Sequence, residues 1–275
     1  MKRGVILSLT CAMVTVLPAC VKHLDIGEIV QHDIVKSCPI LQMWSVDPSK
    51  PDTTGAEVVV HYNFAGNPVE MLNIKGSGYR QDFHFRYDRS NRLTDFLMNP
   101  SISPVAPAAL EWHTYTYPSR RMVVDSVYGE NDPAGITAPR PNADAFAGVV
   151  THFLDDEGRI IKDEGNWYGA YTDTSYFQYD AWGDMVRPGV MYDNKYNPYL
   201  TNDVWRFVYE DYSVNNPLQG TIGPPLIIFQ YDARGLPQLL GGFGDVWLFR
   251  YEFAPGLQII YGCDQGQGNT VSKAE

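Results

Sequence analysis

Short stretches in which an apolar residue alternates with a polar one recur along the chain, and most end at a turn signal. The clearest is Phe229-Gln230-Tyr231-Asp232, which is followed by Gly235. Because successive side chains of a β-strand point to opposite faces, Phe229 and Tyr231 share one face and Gln230 takes the other. Asp232 can cap the backbone of a turn, and Gly235 can adopt the positive φ of a short hairpin loop. The pattern predicts a β-hairpin.

Weaker versions of the same unit occur elsewhere in the chain. They are Val60-His61-Tyr62-Asn63, Phe85-Arg86-Tyr87-Asp88, Tyr115-Thr116-Tyr117-Pro118, His152-Phe153-Leu154-Asp155, Phe177-Gln178-Tyr179-Asp180 and Phe249-Arg250-Tyr251-Glu252. Their tyrosine positions are 20 to 52 residues apart, which is too uneven for a regular solenoid. One apolar and one polar face per strand is typical of an antiparallel sheet. We therefore predict an all-β fold, a meander of antiparallel β-hairpins that forms a large twisted sheet, either open or curled on itself.

The Tyr-Asp-x-x-Gly unit, as in Tyr231-Asp232 before Gly235, resembles the YD repeat of the RHS family. It resembles more closely the short YD-repeat lipoproteins of Bacteroidota. Residues 193–199 and 213–217 are also similar to an insert found in those lipoproteins. The resemblance implies a β-hairpin array over residues 57–262, and it assigns no catalytic residues.

The N-terminus predicts export and a lipid anchor. Residues 1–3 are basic, residues 4–16 form an apolar run, and Leu17-Pro18-Ala19-Cys20 resembles a lipobox. We expect residues 1–19 to be a lipoprotein signal peptide and Cys20 to carry the lipid, with the protein at the outer membrane, facing the periplasm or the cell surface. A plain secretory signal remains an alternative. A transmembrane anchor is less favoured because the run is short.

The remaining chain divides by composition. Residues 20–56 are a tether and lead-in segment with a loop over 47–55, and residues 57–262 form the hairpin domain. Two turn-rich inserts interrupt that domain, at 129–141 and at 187–225, and residues 204–209 within the second are compatible with a strand or with helical turns. Residues 263–275, rich in Gly and Gln, are expected to be a flexible tail.

The charge of the chain limits its partners. The formal net charge is −11, and it becomes −13 once residues 1–19 and their two basic side chains are removed. An acidic chain without basic clusters argues against nucleic acid and against electrostatic membrane binding. The expected partners are the membrane, through the lipid at Cys20, and a glycan or an envelope protein. No cofactor is expected, because the sequence contains no P-loop, nucleophile-elbow or dinucleotide motif.

The histidines do not predict a metal site. Strand alternation places His61 and His84 on one face of the sheet, and His113 and His152 on the other. Ligands divided between two faces cannot converge on one ion, and no His-x-x-x-His or Cys-x-x-Cys spacing is present.

The cysteines allow one disulfide. With lipid on Cys20, the mature chain retains Cys38 and Cys263, which are candidates for a bridge in an exported protein. Two free thiols are the alternative, because sequence alone does not give the geometry.

Ligand binding is assigned to aromatic residues outside the strand repeats. The repeat aromatics are expected to fill the core, whereas four aromatic residues in turns or in the larger insert are expected to be exposed. These candidate ligand-binding residues are Trp182, Tyr196, Tyr199 and Trp205. The leading function is a non-enzymatic binding or scaffold lipoprotein at the outer membrane, and a structural part of a larger envelope complex is a further possibility.

The alternative function is a carbohydrate-active hydrolase that uses paired carboxylates. Its candidate residues are Asp155 with Asp156, Asp163 with Glu164, Asp203, and Glu210 with Asp211. Nearly every Asp lies at a predicted turn, where backbone capping already explains it, so no catalytic residue is assigned.

Overall fold

The computed structural model describes residues 35–47, 50–75, 81–100, 110–130, 139–219, 227–241, 246–248, 251–253 and 256–263. The predicted signal peptide, Cys20 and the tail from residue 264 lie outside these ranges. Within them, the helices are too short or too polar to cross a bilayer.

The described chain forms seventeen strands and a short α-helix, and residues 35–36 are also helical. The strands are β1 (Ile40–Asp47), β2 (Lys50–Tyr62), β3 (Pro68–Lys75), β4 (Gln81–Tyr87), β5 (Leu93–Pro100), β6 (Leu110–Ser119), β7 (Met122–Glu130), β8 (Phe146–Leu154), β9 (Ile160–Trp167), β10 (Tyr171–Tyr176), β11 (Met191–Tyr196), β12 (Asn215–Gln219), β13 (Ile227–Tyr231), β14 (Pro237–Gly241), β15 (Val246–Leu248), β16 (Tyr251–Phe253) and β17 (Gly256–Tyr261). The helix, α1, is Asp203–Val208, and 3-10 turns lie at Ala143–Ala145 and Pro198–Thr201.

Thirteen of the strands form one antiparallel sheet. Their order is β10-β9-β8-β7-β6-β5-β4-β3-β2-β1-β17-β14-β13, while β11–β12 and β15–β16 form separate two-stranded ribbons. From β1 to β10 each strand pairs with the next one in the chain, and β17 pairs with the free side of β1. The predicted all-β meander of antiparallel hairpins is confirmed. The sheet is not closed, because β10 and β13 are its two edges.

Five turns of the described chain share one structure. The side chain of the first residue accepts hydrogen bonds of 2.8–3.0 Å from the backbone N–H groups two and four positions later. These first residues are Asn63, Asp88, Asp155, Asp180 and Asp232. The residue three positions later has a positive φ, and it is Gly66, Asn91, Gly158, Gly183 or Gly235. The repeated turn is thus built by one side-chain cap and one left-handed residue.

The tyrosines of the repeats link neighbouring hairpins. The hydroxyl of Tyr62, Tyr87, Tyr117 or Tyr179 donates a hydrogen bond to the carbonyl of the first residue of an earlier strand. The acceptors are Ile40, Pro68, Leu93 and Ile160, at 2.5–2.8 Å. Burial raises the pKa of the Tyr117 hydroxyl to about 12, so it stays protonated as a donor. Each hydroxyl therefore ties its tyrosine to the start of an earlier strand.

The core lies between one face of the sheet and the insert, which we define as residues 177–219. Phe83 and Phe85 of β4 stack on Phe96 of β5, with ring centroids 5.6 and 5.2 Å apart. Trp205 of α1 meets Phe85 edge-on at 5.3 Å. The chain leaves the main sheet after β10 and returns at β13, so the insert begins before the predicted residue 187.

The sheet also begins earlier than residue 57, and the predicted loop over 47–55 is wrong. β1 ends at Asp47 and β2 begins at Lys50. Hydrogen bonding to β1 holds this Pro-, Asp- and Gly-containing segment extended, against its local preference, whereas β3 pairs with β2 over residues 57–62. At the other predicted insert, residues 129 and 130 end β7, and 131–138 lie outside the described ranges.

A disulfide joins Cys38 and Cys263. Their Cα atoms are 4.9 Å apart, and 225 residues separate them in sequence. Cys38 precedes β1 and Cys263 follows β17, at the end where Ile40 lies opposite Tyr261. The bridge therefore links the first and last strands of the described chain where they pair.

Candidate functional site

The four candidate ligand-binding aromatics do not form one surface. Trp182 lies in the turn after Asp180 and is 75% exposed, as expected. Trp205 has no exposed surface, so the expectation that it is exposed is wrong. Tyr196 and Tyr199 are half-buried and pack against the core. Asn202 caps α1 by accepting from the Val204 N–H, and the helix then turns Trp205 towards the sheet.

Phe229 is likewise the reverse of its prediction. The strand repeat predicts that Phe229 lies in the core, but its side chain is 52% exposed. β13 is an edge strand, and its register against β14 is irregular between Ile228 and Gln230, which interrupts the alternation of faces. Tyr231 is half-buried, and its hydroxyl donates to Asp193 of the insert at 2.5 Å.

The largest group of exposed rings lies at the opposite edge, on the hairpin of β9 and β10, residues 160–176. We call it the aromatic hairpin. Every residue of β10 is exposed. Tyr168, Tyr171 and Tyr176 are 77%, 62% and 74% exposed. Tyr168, at the turn between the two strands, has a φ of +52°. These residues were not predicted as a site, because they lie between the repeats.

Trp167 of this hairpin lies along the backbone of two strands. A Cβ atom on Gly148 of β8 would lie 2.6 Å from Cε3 of the Trp167 ring, and one on Gly165 would lie 2.8 Å from its Nε1. Because these two atoms belong to opposite ends of the indole, the ring covers both glycines. Asp173 of β10 pairs with Gly165, and its carboxylate also occupies the space above that glycine. Side chains at positions 148 and 165 would displace the ring.

The aromatic hairpin thus presents a ring and polar groups on one face. Tyr171 pairs directly with Trp167 across the strands, so the two side chains lie on the same face. Asp173 follows two residues later on that face. Aromatic rings beside hydrogen-bonding groups are suited to sugars, which have both apolar faces and hydroxyl groups.

A second group of functional side chains lies on the core face of β6 to β9. We call it the histidine–carboxylate cluster, and it comprises Glu111, His113, Asp125, His152 and Asp163, with Glu210 of the insert. His113 contacts Glu111 and Asp125 at 2.7 Å each. His152 contacts Asp163 at 2.7 Å through Nδ1 and lies 3.9 Å from Asp125 through Nε2. Carboxylates and imidazoles therefore alternate across four strands.

The cluster holds both histidines in their charged form at neutral pH. Burial opposes the charge, but hydrogen bonds to Asp125 and to the flanking carboxylates outweigh it and raise the pKa of His113 and of His152 to about 9. For Asp125, burial again opposes the charge, and the hydrogen bonds of the two imidazoles hold its pKa below the usual value. The cluster is a buried set of ion pairs.

The insert covers this cluster. Phe207 of α1 meets the His152 ring edge-on at 5.4 Å and the Tyr115 ring at 5.2 Å. Glu210, with a φ of +51°, follows the end of α1. One ligand atom from each of His152, Asp163 and Glu210 lies within 4.8 Å of the others. The sequence places these residues on separate elements, so only the packing of the insert shows that they meet.

His61 and His84 lie on the other face of the sheet. Glu70 of β3 lies between them, 3.3 Å from His61 and 3.7 Å from His84. Burial lowers the pKa of His84. These two histidines are thus separated by the sheet from His113 and His152.

The acidic pairs of the hydrolase alternative are held by other contacts. Asp155 caps its turn and pairs with Arg159, and Glu164 pairs with Lys162 on the face of β9 opposite Asp163. The remaining candidates contact basic side chains or backbone: Asp156 contacts Arg120 and Arg121, Asp203 contacts Lys36 and Arg206, and Asp211 accepts from the Ser213 N–H.

Comparison with known proteins gives a distant likeness. Neither a protein-family model nor a curated protein matches the chain. Among solved structures, the chain is similar to one described as a porin-like protein from Bacteroides uniformis, with 8% identity and a TM-score of 0.32. The match covers 82% of this chain and 97% of that one. At this level the likeness carries no functional argument.

Proposed function

We propose that this chain is a non-enzymatic binding lipoprotein, anchored to the outer membrane through Cys20, whose ligand is a neutral glycan. The observation that carries the proposal is the position of Trp167, whose ring lies over Gly148 and Gly165 beside the exposed Tyr171. The aromatic hairpin takes the place of Trp205, Tyr196 and Tyr199 as the binding surface.

The position of the ring favours a sugar. Gly148 and Gly165 leave room for the indole to lie along the sheet, so one ring face contacts the backbone and the other is directed away from it. A pyranose can pack its C–H face on such a ring while its hydroxyl groups bond to neighbouring polar side chains. Asp173 is placed to accept such a bond. The net charge of −11 disfavours an anionic ligand.

The carboxylates favour binding over hydrolysis. A hydrolase needs two carboxylates about 5–10 Å apart across the scissile bond, one of them a protonated acid. The candidate pairs instead cap turns or contact Arg and Lys, as described above. In the aromatic hairpin, Asp163 and Asp173 lie on the face of Trp167 and Tyr171, but Asp163 is buried and contacts His152 at 2.7 Å.

The test compares ring removal on the two faces of the aromatic hairpin. Trp167→Ala and Tyr171→Ala should abolish or strongly weaken glycan binding in an array screen followed by titration calorimetry. Tyr176→Ala is the matched control, because Tyr176 is equally exposed on the same strand but faces the other way. Thermal melts should show all three variants folded. Wild-type binding that persists in Trp167→Ala, or an array without any bound glycan, would contradict the proposal.

The anchor is tested separately. Cys20→Ser should abolish incorporation of labelled lipid and release the protein from the membrane fraction. Unchanged lipid labelling in that variant would refute the anchor and leave the glycan proposal standing.

A further inference from the structure

Three side chains from three elements meet where the insert covers the sheet. His152 comes from β8, Asp163 from β9, and Glu210 from the residues after α1. One ligand atom of each lies within 4.8 Å of the other two. His152 and Asp163 are buried, whereas Glu210 is partly exposed. We propose that these three residues bind a divalent transition-metal ion such as Zn²⁺.

The donor set fits this class of ion. Imidazole is a ligand preferred by Zn²⁺ and its neighbours, whereas Ca²⁺ and Mg²⁺ prefer all-oxygen sites. Tetrahedral Zn²⁺ with bonds of about 2.0–2.1 Å places two ligand atoms about 3.3 Å apart. His152 Nδ1 and Asp163 Oδ1 are 2.7 Å apart, so they need to separate by only about 0.6 Å to hold the ion between them. The imidazolium proton leaves as the metal binds.

A second observation concerns the carboxylate on the far side of the His152 ring. Asp125 is buried within the cluster, and its Oδ1 atom has no hydrogen-bond partner among the described residues. Nε2 of His152 lies 3.9 Å from Asp125, so with an ion on Nδ1 this carboxylate stands on the far side of the ring, where carboxylates orient metal-binding imidazoles.

The site has an entry path and a structural consequence. Because Glu210 is partly exposed, an ion can reach the buried pair from the side of the insert. Two ligands belong to the sheet and one belongs to the insert, so the ion would bind only when these two parts are packed together. Metal binding would therefore stabilise the folded state by mass action. Metal binding would also reverse the expectation that the histidines form no metal site. That expectation rests on the spacing of the histidines and leaves out the carboxylates of adjacent strands.

The experiment uses the full-length mature protein in detergent, stripped with EDTA and dialysed. Titration calorimetry with Zn²⁺ should show one ion per chain, and Zn²⁺ should raise the Tm. Glu210→Gln and His152→Gln should weaken affinity at least about 10–100-fold, the range known for residues that merely support a metal ligand. His61→Gln is the matched control, because His61 contacts Glu70 on the other face, and its affinity should be unchanged.

The outcomes separate the metal site from a plain ion-pair cluster. Absence of saturable Zn²⁺ binding by the wild type would overturn the proposal without recourse to any variant. Wild-type affinity in Glu210→Gln, a change at a partly exposed position, would overturn it too. Equal binding of Ca²⁺ would refute the transition-metal class. Trp167→Ala should still bind Zn²⁺, so the metal-site proposal and the glycan-binding proposal are tested independently.

Discussion

The strongest stability prediction compares Trp205→Ala with Phe229→Ala. The sequence predicts an exposed Trp205 and a buried Phe229, and the structure shows the opposite. Trp205 is fully buried and packs against Phe85 and Tyr209, whereas Phe229 is 52% exposed on an edge strand. Truncation of a large buried ring costs about 3–5 kcal/mol, because it removes apolar burial and leaves a cavity. Truncation of an exposed ring usually changes stability by about 0.5 kcal/mol or less.

The stability of both variants is measured by thermal unfolding and by urea unfolding, with the disulfide intact. At about 2–4 °C per kcal/mol for a chain of this size, Trp205→Ala should lower the Tm by about 6–20 °C. The Tm of Phe229→Ala should remain within about 2 °C of the wild type. The reasoning is refuted if Phe229→Ala is the more damaging change, or if Trp205→Ala leaves the urea midpoint unaltered.

Two further predictions concern the cluster and the turns. With EDTA present, the contribution of His113 and His152 to stability should be complete below pH 6.5 and decline as pH rises through about 9, because their pKa values are raised in the folded state. Urea midpoints between pH 6 and pH 9.5 should therefore fall more steeply for the wild type than for the His113→Gln/His152→Gln double variant, and parallel curves would disprove the assignment. Gly235→Val should destabilise by about 1–3 kcal/mol, because Gly235 has a φ of +87°. Gly129→Val, at a strand position with open space around it and no positive φ, is the control, and equal unfolding midpoints for the two would show that φ does not matter.

Local chemistry allowed the repeated hairpins to be predicted from the sequence. In Tyr231-Asp232 before Gly235, the alternation, the cap and the left-handed residue all lie within a few positions, so neighbouring residues determine the turn. The all-β meander follows, because each hairpin pairs with the next one. Asn91 occupies the left-handed position after Asp88, where Gly was not available as a signal.

The site depends on long-range contacts, which the sequence does not reveal. Trp205 is buried because α1 packs on β4, far away in sequence, and Phe229 is exposed because β13 lies at an edge. The position of Trp167 depends on Gly148 of another strand. Likewise, the sequence suggests Asp163 and its neighbour Glu164 as a candidate carboxylate pair, whereas the contact of Asp163 is His152, on the adjacent strand.

The pairing of β1 with β17 has a consequence for the order of folding. A ribosome produces β1 long before β17, yet the two strands are hydrogen-bonded neighbours in the interior of the sheet. The meander from β2 to β10 can form from successive local hairpins, at a small loop-closure cost for each. β1 must keep one side unpaired until the last described strand exists, and the Cys38–Cys263 bond can form only after that. Truncation of the chain a few residues before Gly256 removes β17 and should therefore leave one edge of β1 unpaired. Unpaired strand edges promote aggregation.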